Sequence, residues 1–446
     1  MSTIHELSPI VAVPRFDVFG VTGTQLIVDS DVQTEHRPIS TISDSISPIE
    51  FEIHSGLDEY VDLSRSELCL CLKINLKKLN LAKDQALKAE DWKKISPINY
   101  MLNSMFKQIR ISIGQSVVTT ASLNYAYVAY IDALFNYSPE VKRTHLQTAF
   151  WHRDDTTNMD GINEESSIRI RTVGSNLEEG REFELHGNLH LDLATQIRPL
   201  LGGVSINVTL IPNDPKFYLM YDKFLQPEVI IKDARLYVHR SKLTPNVVLA
   251  HNKGLDVANA RYFICRKEVK SFIIQKGTLD CYLNNVENGI LPRKIYVGLV
   301  SNEAYNGHSE QNPFNFKNYS LRHIACYLDG CQYPQRPYTP DFTNKKYMRE
   351  YFGLFETSNQ VRYNTNIDIT REEYYSGFTL YGFNFSPDLS EGCTTSGYVS
   401  EIKRGNLRIE LRFNHNLNET VTAIVFCEYD NLIEIPKSRI AIKDFQ

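Results

Sequence analysis

From Leu68 to Leu76 every second residue is a large aliphatic: Leu68, Leu70, Leu72, Ile74 and Leu76. Successive side chains on a strand point to opposite faces, so this alternation predicts a long β-strand with one buried face. The next stretch, "NLAKDQALKAEDWKK", breaks the pattern with good helix formers and predicts an inserted loop carrying a short charged helix. Alternation returns at Ile109, Ile111 and Ile113 and stops at Gly114, which predicts a strand running into a turn. Tyr127, Tyr130, Ile131, Leu134 and Phe135 then recur at helical spacing and predict one face of a helix. Residues 139 to 182 are long, polar and mostly patternless, which predicts a surface excursion or a disordered loop. Strands are predicted again at "EFELHGNLHLDL", "VSINVTLI" and "EVIIKDARLYVHRSKL", so a first β unit ends near Leu243.

The second half repeats this order. Ile324, Cys326 and Leu328 lead to Gly330, as Ile109, Ile111 and Ile113 lead to Gly114. The pattern Y-x6-LF-x2-S fits Tyr127, Leu134, Phe135 and Ser138, and equally Tyr347, Leu354, Phe355 and Ser358. "SGFTLYGFNF", "GNLRIELRF" and "TAIVFCEYDNLIEI" then stand where "HGNLHLDL", "GVSINVTL" and "DARLYVHRSKL" stood. One fold is present twice. Period-two strands with turn signals at short intervals, and no alternation of strands with helices, exclude a parallel α/β sheet. The expected class is all-β: a double jelly roll, two tandem eight-stranded antiparallel β-sandwiches, each with a short helix insertion. The expected division is an N-terminal arm over 1–48, rich in Ser, Thr, Asp and Pro, a first sandwich over 49–245, and a second over 246–446 with a C-terminal tail.

Composition narrows the function. With 42% hydrophobic and 23% charged residues the chain reads as soluble and globular, and no apolar run is long enough to span a membrane. The first residues lack a basic segment followed by an apolar one, so secretion is not expected, and the sequons at Asn207 and Asn418 read as chance. A net charge of −5 and a nearly cation-free N-terminus, with Arg15 the one basic residue before position 31, argue against sequence-specific nucleic-acid binding.

Searches for catalytic chemistry return little. The sequence has no phosphate-binding G-x-x-x-x-G-K-[ST], no H-E-x-x-H and no G-x-S-x-G. His186, His190 and Asp192 are the best metal candidates, but read as strand they are spread over about 13 Å from first His to second and cannot share an ion. Cys69 and Cys71 share a strand face and read as packed thiols. Cys326 and Cys331 flank a turn and could approach each other, although small residues at strand ends explain them as well. The aromatics of "NPFNFKNYS" read as core or subunit contact rather than a base-stacking platform, and "YPQRPYTP" as a rigid connection into the helix near Tyr347. Lys77, Lys78, Lys83, Lys88, Lys93 and Lys94, mixed with Asp84, Glu90 and Asp91, read as a solvated face. Glu50, Glu52, Asp58, Glu59 and Asp62 read as solvent-facing. No catalytic, cofactor-binding or metal residue is therefore assigned, no cofactor is expected, and the chain is not expected to be an enzyme.

In combination, "FDVFGVTGTQ", "RPISTISDSISPIEFEIHSGLDEYVDLSRSELCLCLKI", "LLGGVSINVTL", "ILPRKIYVGLVSNEAYNGHSEQNPFNF" and "LRIELRFNHNLNETVTAIVFCEYDNLIEI" resemble the major capsid proteins of Maverick/Polinton elements and adintoviruses. The resemblance runs collinearly from about residue 16 to 440 and departs in "FGVTGTQLIVDS", where relatives are richer in proline. It implies a structural protein of a virion capsid, forming pseudo-hexagonal homotrimers, the capsomers that tile an icosahedral facet. Neighbouring capsomers, a single jelly-roll penton protein and minor capsid proteins are the implied partners, with assembly inside the host cell. Two other readings stay open: a tandem β-sandwich that binds or cleaves carbohydrate, and a capsid-derived protein retained by a host. The long segments at 139–182, 301–318 and 388–404 are expected on capsomer faces or subunit contacts, and trimming 155–178 is expected to leave folding intact.

Overall fold

A computed structural model describes residues 18–19, 21, 23–42, 47–78, 89–92, 94–119, 122–156, 158–161, 180–361, 367–389 and 392–444. Up to Leu243 the strands are β1 (Val28–His36), β2 (Ile49–His54), β3 (Glu59–Lys78), β4 (Ile95–Pro97), β5 (Phe106–Ile113), β6 (Ser116–Val117), β7 (Glu182–Asn188), β8 (Ser205–Pro212), β9 (Leu219–Tyr221) and β10 (Leu225–Leu243). After it come β11 (Ala260–Ile274), β12 (Asp280–Ile290), β13 (Lys294–Ser301), β14 (Leu321–Leu328), β15 (Cys331–Tyr338), β16 (Leu380–Asn384), β17 (Arg404–Phe413), β18 (Val421–Ile435) and β19 (Ile442–Lys443).

Pairing among the named strands is antiparallel, and no ladder joins a strand before Leu243 to one after it. The first set makes sheets ordered β1-β10-β3-β7 and β2-β8-β5-β6, with β4 and β9 as a small separate pair. The second makes β11-β18-β13-β16 and β12-β17-β14-β15, with β19 joined to β18. Counting the eight sandwich strands of each set in chain order, both sets read 1-8-3-6 and 2-7-4-5. This is the double jelly roll, and the internal repeat read in the sequence is a repeat of topology.

Burial follows the alternation. Leu68, Leu70, Leu72, Ile74 and Leu76 all face inward, whereas Cys69 and Cys71 between them lie half-exposed on the other face. The repeated glycines close two-residue hairpins: Ile113 pairs with Ser116 across Gly114, and Leu328 with Cys331 across Asp329-Gly330. Gly114 and Gly330 both have positive φ, 61° and 83°, where a Cβ is unfavourable.

Two local readings differ from the sequence expectation, and the N-terminal segment, whose short apolar patches could add an edge strand or an extended arm, supplies the strand. Val28–His36, inside the segment read as an arm, is an edge strand pairing with β10 from Val28↔Leu243 to His36↔Leu236. Its sequence, VDSDVQTEH, is mostly polar because an edge strand with an open outer face needs few apolar residues. "YPQRPYTP" is mostly strand β15 rather than a connection; its prolines fit there because β15 is the edge of its sheet. Finally, the described start of the 139–182 segment is not a surface excursion: Lys142, Leu146, Ala149, Phe150, Trp151, Asp154 and Met159 are buried. Trimming 155–178 would therefore remove fixed structure, since Asp160 accepts hydrogen bonds from Asn312 N at 2.9 Å and Asn315 Nδ2 at 3.0 Å.

These segments are buried because of α1 (Tyr125–Asn136), the helix between the fifth and sixth strands of the first sandwich. Every residue from Tyr125 to Phe135 is buried, so the predicted apolar face is one part of a helix enclosed all round. One side belongs to the first sandwich, where Tyr125 Oη donates to Asn103 Oδ1 at 2.6 Å. The other belongs to the second: Tyr130 stacks on Phe314 at 3.9 Å and 5°, and Phe135 on Tyr296 at 4.1 Å and 12°. The aromatics of "NPFNFKNYS" are thus core at the junction, with Phe314 and Phe316 fully buried. Among the described residues no helix is long and apolar enough to cross a membrane.

Since α1 is part of two cores, the intact chain should unfold in one calorimetric transition. Phe314→Ala is expected to cost about 3–5 kcal/mol and to split that transition in two.

Candidate functional site: the junction and the outer sheet faces

Between the sandwiches lies a cavity of about 760 Å³, lined by both strand sets and by the ends of the two repeated helical segments, Ser138 and Ser358. Its wall carries charge on both sides of the junction. Asp132 on α1 accepts from Lys267 Nζ of β11 at 2.5 Å, and its other oxygen lies 2.6 Å from His190 Nδ1. His190 Nε2 is 2.7 Å from Tyr100 Oη. Farther along the sheet Glu428 of β18 meets Arg293 at 2.7 Å and Lys294 at 3.1 Å. Lys142 fixes the C-terminal end of α1, donating to the carbonyls of Leu134 at 2.8 Å and Ile367 at 3.0 Å.

The ionisation states follow from competing burial and pairing. Burial opposes charge on Asp132, but the Lys267 ammonium and the His190 hydrogen bond hold its carboxyl well below the usual range. Burial likewise opposes charge on Lys267, and Asp132 more than restores it. Burial of Lys142, only partly offset by Asp368, pushes its ammonium down to about 8. Among the described residues Asp192 makes no ion pair: burial pushes it up to about 6 against a hydrogen bond from Lys267 N.

The arrangement pairs charges across the junction and positions two sandwiches. The sequence-nominated residues are accordingly dispersed. β7 ends at Asn188, so His190 lies beyond the strand and turns into the junction, while His186 Nε2 sits 3.0 Å from Glu67 on the outer sheet face. Asp192 joins neither, and among the described residues no three His, Cys, Asp or Glu side chains gather as a metal site. Cys326 is buried opposite Tyr333 and Cys331 is exposed opposite Leu328, both as free thiols. Glu50 and Glu52 face solvent, and Asp58 and Glu59 pair with Lys242 at 3.5 Å and Arg240 at 3.1 Å. Asp62 corrects the expectation of a solvent-facing cluster: it is buried and accepts from Arg65 Nε at 2.8 Å. Lys77 is exposed beside Glu228, Lys78 meets Asp91 at 2.6 Å, and Lys83, Asp84, Lys88 and Lys93 lie outside the described residues. The sequence reading missed Asp132, Lys267 and Glu428; Asp132 and Glu428 each follow an apolar run, whereas Lys267 stands between Arg266 and Glu268 and carries no such signal.

The two outer sheet faces differ. In β18 every residue from Val421 to Asn431 is buried, so both faces are covered. β10, the equivalent strand of the first sandwich, alternates, with Val229, Ile231, Leu236 and Val238 inward and Asp233, Arg235, Tyr237 and His239 half-exposed.

Two carboxylates give the junction opposite pH responses. The stability contributed by Asp132 is complete above the ordinary carboxylate value and is lost as pH falls below about 4. Asp192, with a folded value raised to about 6, acts in reverse: stability is present below about 4 and lost as pH rises to 6. Asp192→Asn should therefore melt higher than the parent at pH 7, by on the order of 2 kcal/mol, and no higher at pH 4. Melting temperatures of both proteins across pH 4–7 check this.

No family model matches the chain. Over 411 residues it is 26% identical to an uncharacterized protein of Caenorhabditis elegans, which spans 89% of this chain and 93% of that one. A chain of the Sputnik virophage structure superposes with a TM-score of 0.64 at 11% identity, covering 100% of this chain and 94% of its own. The Faustovirus major capsid protein gives 0.58 at 10% identity, covering 94% of this chain and 93% of its own. The mavirus major capsid protein gives 0.53 at 12% identity, covering 100% of this chain and 97% of its own. The chain has the fold of viral double jelly-roll major capsid proteins along its whole length.

Proposed function

We propose that this chain is a structural major capsid protein of Maverick/Polinton type, forming homotrimeric, pseudo-hexagonal capsomers that assemble into an icosahedral capsid. The observation that carries the reading is the strand order itself: two sandwiches of the same 1-8-3-6 and 2-7-4-5 topology in one chain. Three such chains arranged head to tail in a closed ring present six similar units, which is hexagonal tiling from three-fold symmetry. The fold shared with the Faustovirus and mavirus major capsid proteins supports this, and the similar chain in a nematode supports an element carried in animal genomes.

In this reading the sandwiches are bounded as 49–245 and 246–446, with the residues before 49 contributing both β1 and an arm toward neighbours. Neighbouring capsomers, a single jelly-roll penton protein and minor capsid proteins are its partners, and the virion, assembled inside the host cell, is its location. Its role is not enzymatic. The dispersal of Glu50, Glu52, Asp58, Glu59 and Asp62 into separate contacts, described above, counts against a glycosidase. A host-retained capsid-derived protein would share the fold, and abundance in purified particles separates it from a capsid protein.

Light scattering after size exclusion should give about three times the 51.3 kDa chain mass, or large particles, with hexagonal outlines in electron micrographs. A chain that stays monomeric at high concentration overturns the reading.

A further inference from the structure

Inside one chain, the helix between the fifth and sixth strands of the first sandwich roofs the outer sheet face of the second. Asp132 reaches Lys267, and Phe135 covers Tyr296, on the face that also carries Lys294 and Glu428. The second sandwich has a helix at the same place in its strand order, α3 (Met348–Thr357), with α2 (Pro245–Gly254) lying in the connection between the sandwiches. α3 rests on its own sandwich through Leu354, Gly353 and Thr357, where a Cβ on Gly353 would meet Tyr338 and one on Gly382 would meet Thr357. Among the described residues, Met348 and Phe352 on its other side stay exposed.

The repeated Y-x6-LF-x2-S pattern aligns the two helices: Val128 with Met348, Asp132 with Phe352, and Phe135 with Phe355. Val128 and Phe135 are 7% and 2% exposed, whereas Met348 and Phe352 are 41% and 49% exposed, one turn apart, with the half-buried Phe355 continuing the stripe. The stripe is continuous with the junction inside the chain, since Gln360 just after α3 donates to the Phe135 carbonyl at 2.8 Å.

The sheet face without a roof is that of the first sandwich, β1-β10-β3-β7. Tyr237, Cys69 and Cys71, with the charged Asp233 and Arg235 opposite the two cysteines, form its half-exposed middle, and Glu182 and Glu184 of β7 its exposed margin. Lys345 and Lys346 stand exposed just before α3, opposite in charge to that margin. Among the described residues, one helix without a sheet to cover and one sheet face without a helix remain, the first in the second sandwich and the second in the first.

We infer that the Met348–Phe352–Phe355 side of α3 covers the Tyr237–Cys69–Cys71 sheet face of a second copy of this chain. The inference rests on the capsomer reading and names the contact that would build it. The contact is heterologous: each copy gives its second sandwich and receives on its first, so three copies close a ring in which the internal junction and the contact between copies alternate. Like the internal junction, which combines the Phe135–Tyr296 stack with the Asp132–Lys267 pair, the contact between copies would join aromatic and charged groups.

The full-length chain and its Phe352→Glu variant test this by light scattering, with melting curves to confirm that each is folded and Val257→Glu, at a position 90% exposed, as control. Phe352→Ser gives the same readout should the glutamate variant not fold. The expected result is a trimer for the parent and the control, and at least a tenfold weaker association for the Phe352 variant. Maleimide labelling read by peptide mass spectrometry should then be at least fivefold faster at Cys69 and Cys71 in the variant than in the parent. A variant that remains trimeric, or labelling at those cysteines that is unchanged by dissociation, overturns this contact and leaves the capsomer reading standing. A parent that is monomeric under all conditions overturns both.

Discussion

Everything about the mutual placement of the two sandwiches depends on one helix that has no solvent face. A helix buried on all sides cannot be satisfied by one sheet, and α1 has a sandwich on each flank. Its aromatic side chains fill space that belongs to both cores, so relative movement of the sandwiches would open a void against Tyr130 and Phe135. Close-packed interiors resist such voids strongly. The two units are joined by packing far more firmly than by the chain connection near Leu243.

Hydrophobic packing alone is tolerant of small rotations, and the charges in the junction remove that tolerance. Asp132 has to meet Lys267 and His190 together, and Glu428 has to meet Arg293 and Lys294. Buried pairs of this kind contribute little net stability because desolvation offsets their attraction, but breaking one is expensive. Their effect here is on geometry: any arrangement that separates the partners leaves an uncompensated charge. In an assembly repeated many times over, an angular error at the junction would be multiplied, and fixing that angle once within each chain keeps all copies alike.

Much of the fold was legible because its strands obey the simplest rule, one buried face and one open face. Leu68 to Leu76 state it directly, and the glycines at 114 and 330 punctuate it in both halves. What could not be read obeys different rules. β1 lacks an alternation of large residues because its outer face is open and its edge unpaired. Residues 139 to 156 look polar because their buried members, Phe150 and Trp151 among them, point toward a helix rather than along a period. The junction charges were invisible for a deeper reason: nothing local marks Asp132 as the partner of Lys267, 135 residues away. The two histidine rings are kept apart because the strand ends between them, at Asn188.

The prolines of β15 have a consequence of their own. Pro334 and Pro337 occupy the last strand of the β12-β17-β14-β15 sheet, so this edge strand has two residues without an amide donor. A chain that accumulates in many copies at close quarters would otherwise risk extending its sheets from molecule to molecule, a growth that has no fixed size and does not readily reverse. With that route blunted, contact between copies falls to side chains on folded surfaces, which can separate and rejoin until the neighbours fit. In the proposed capsid, the same two residues that look like a stiff linker in the sequence would thus help the chain to stop at a finite object.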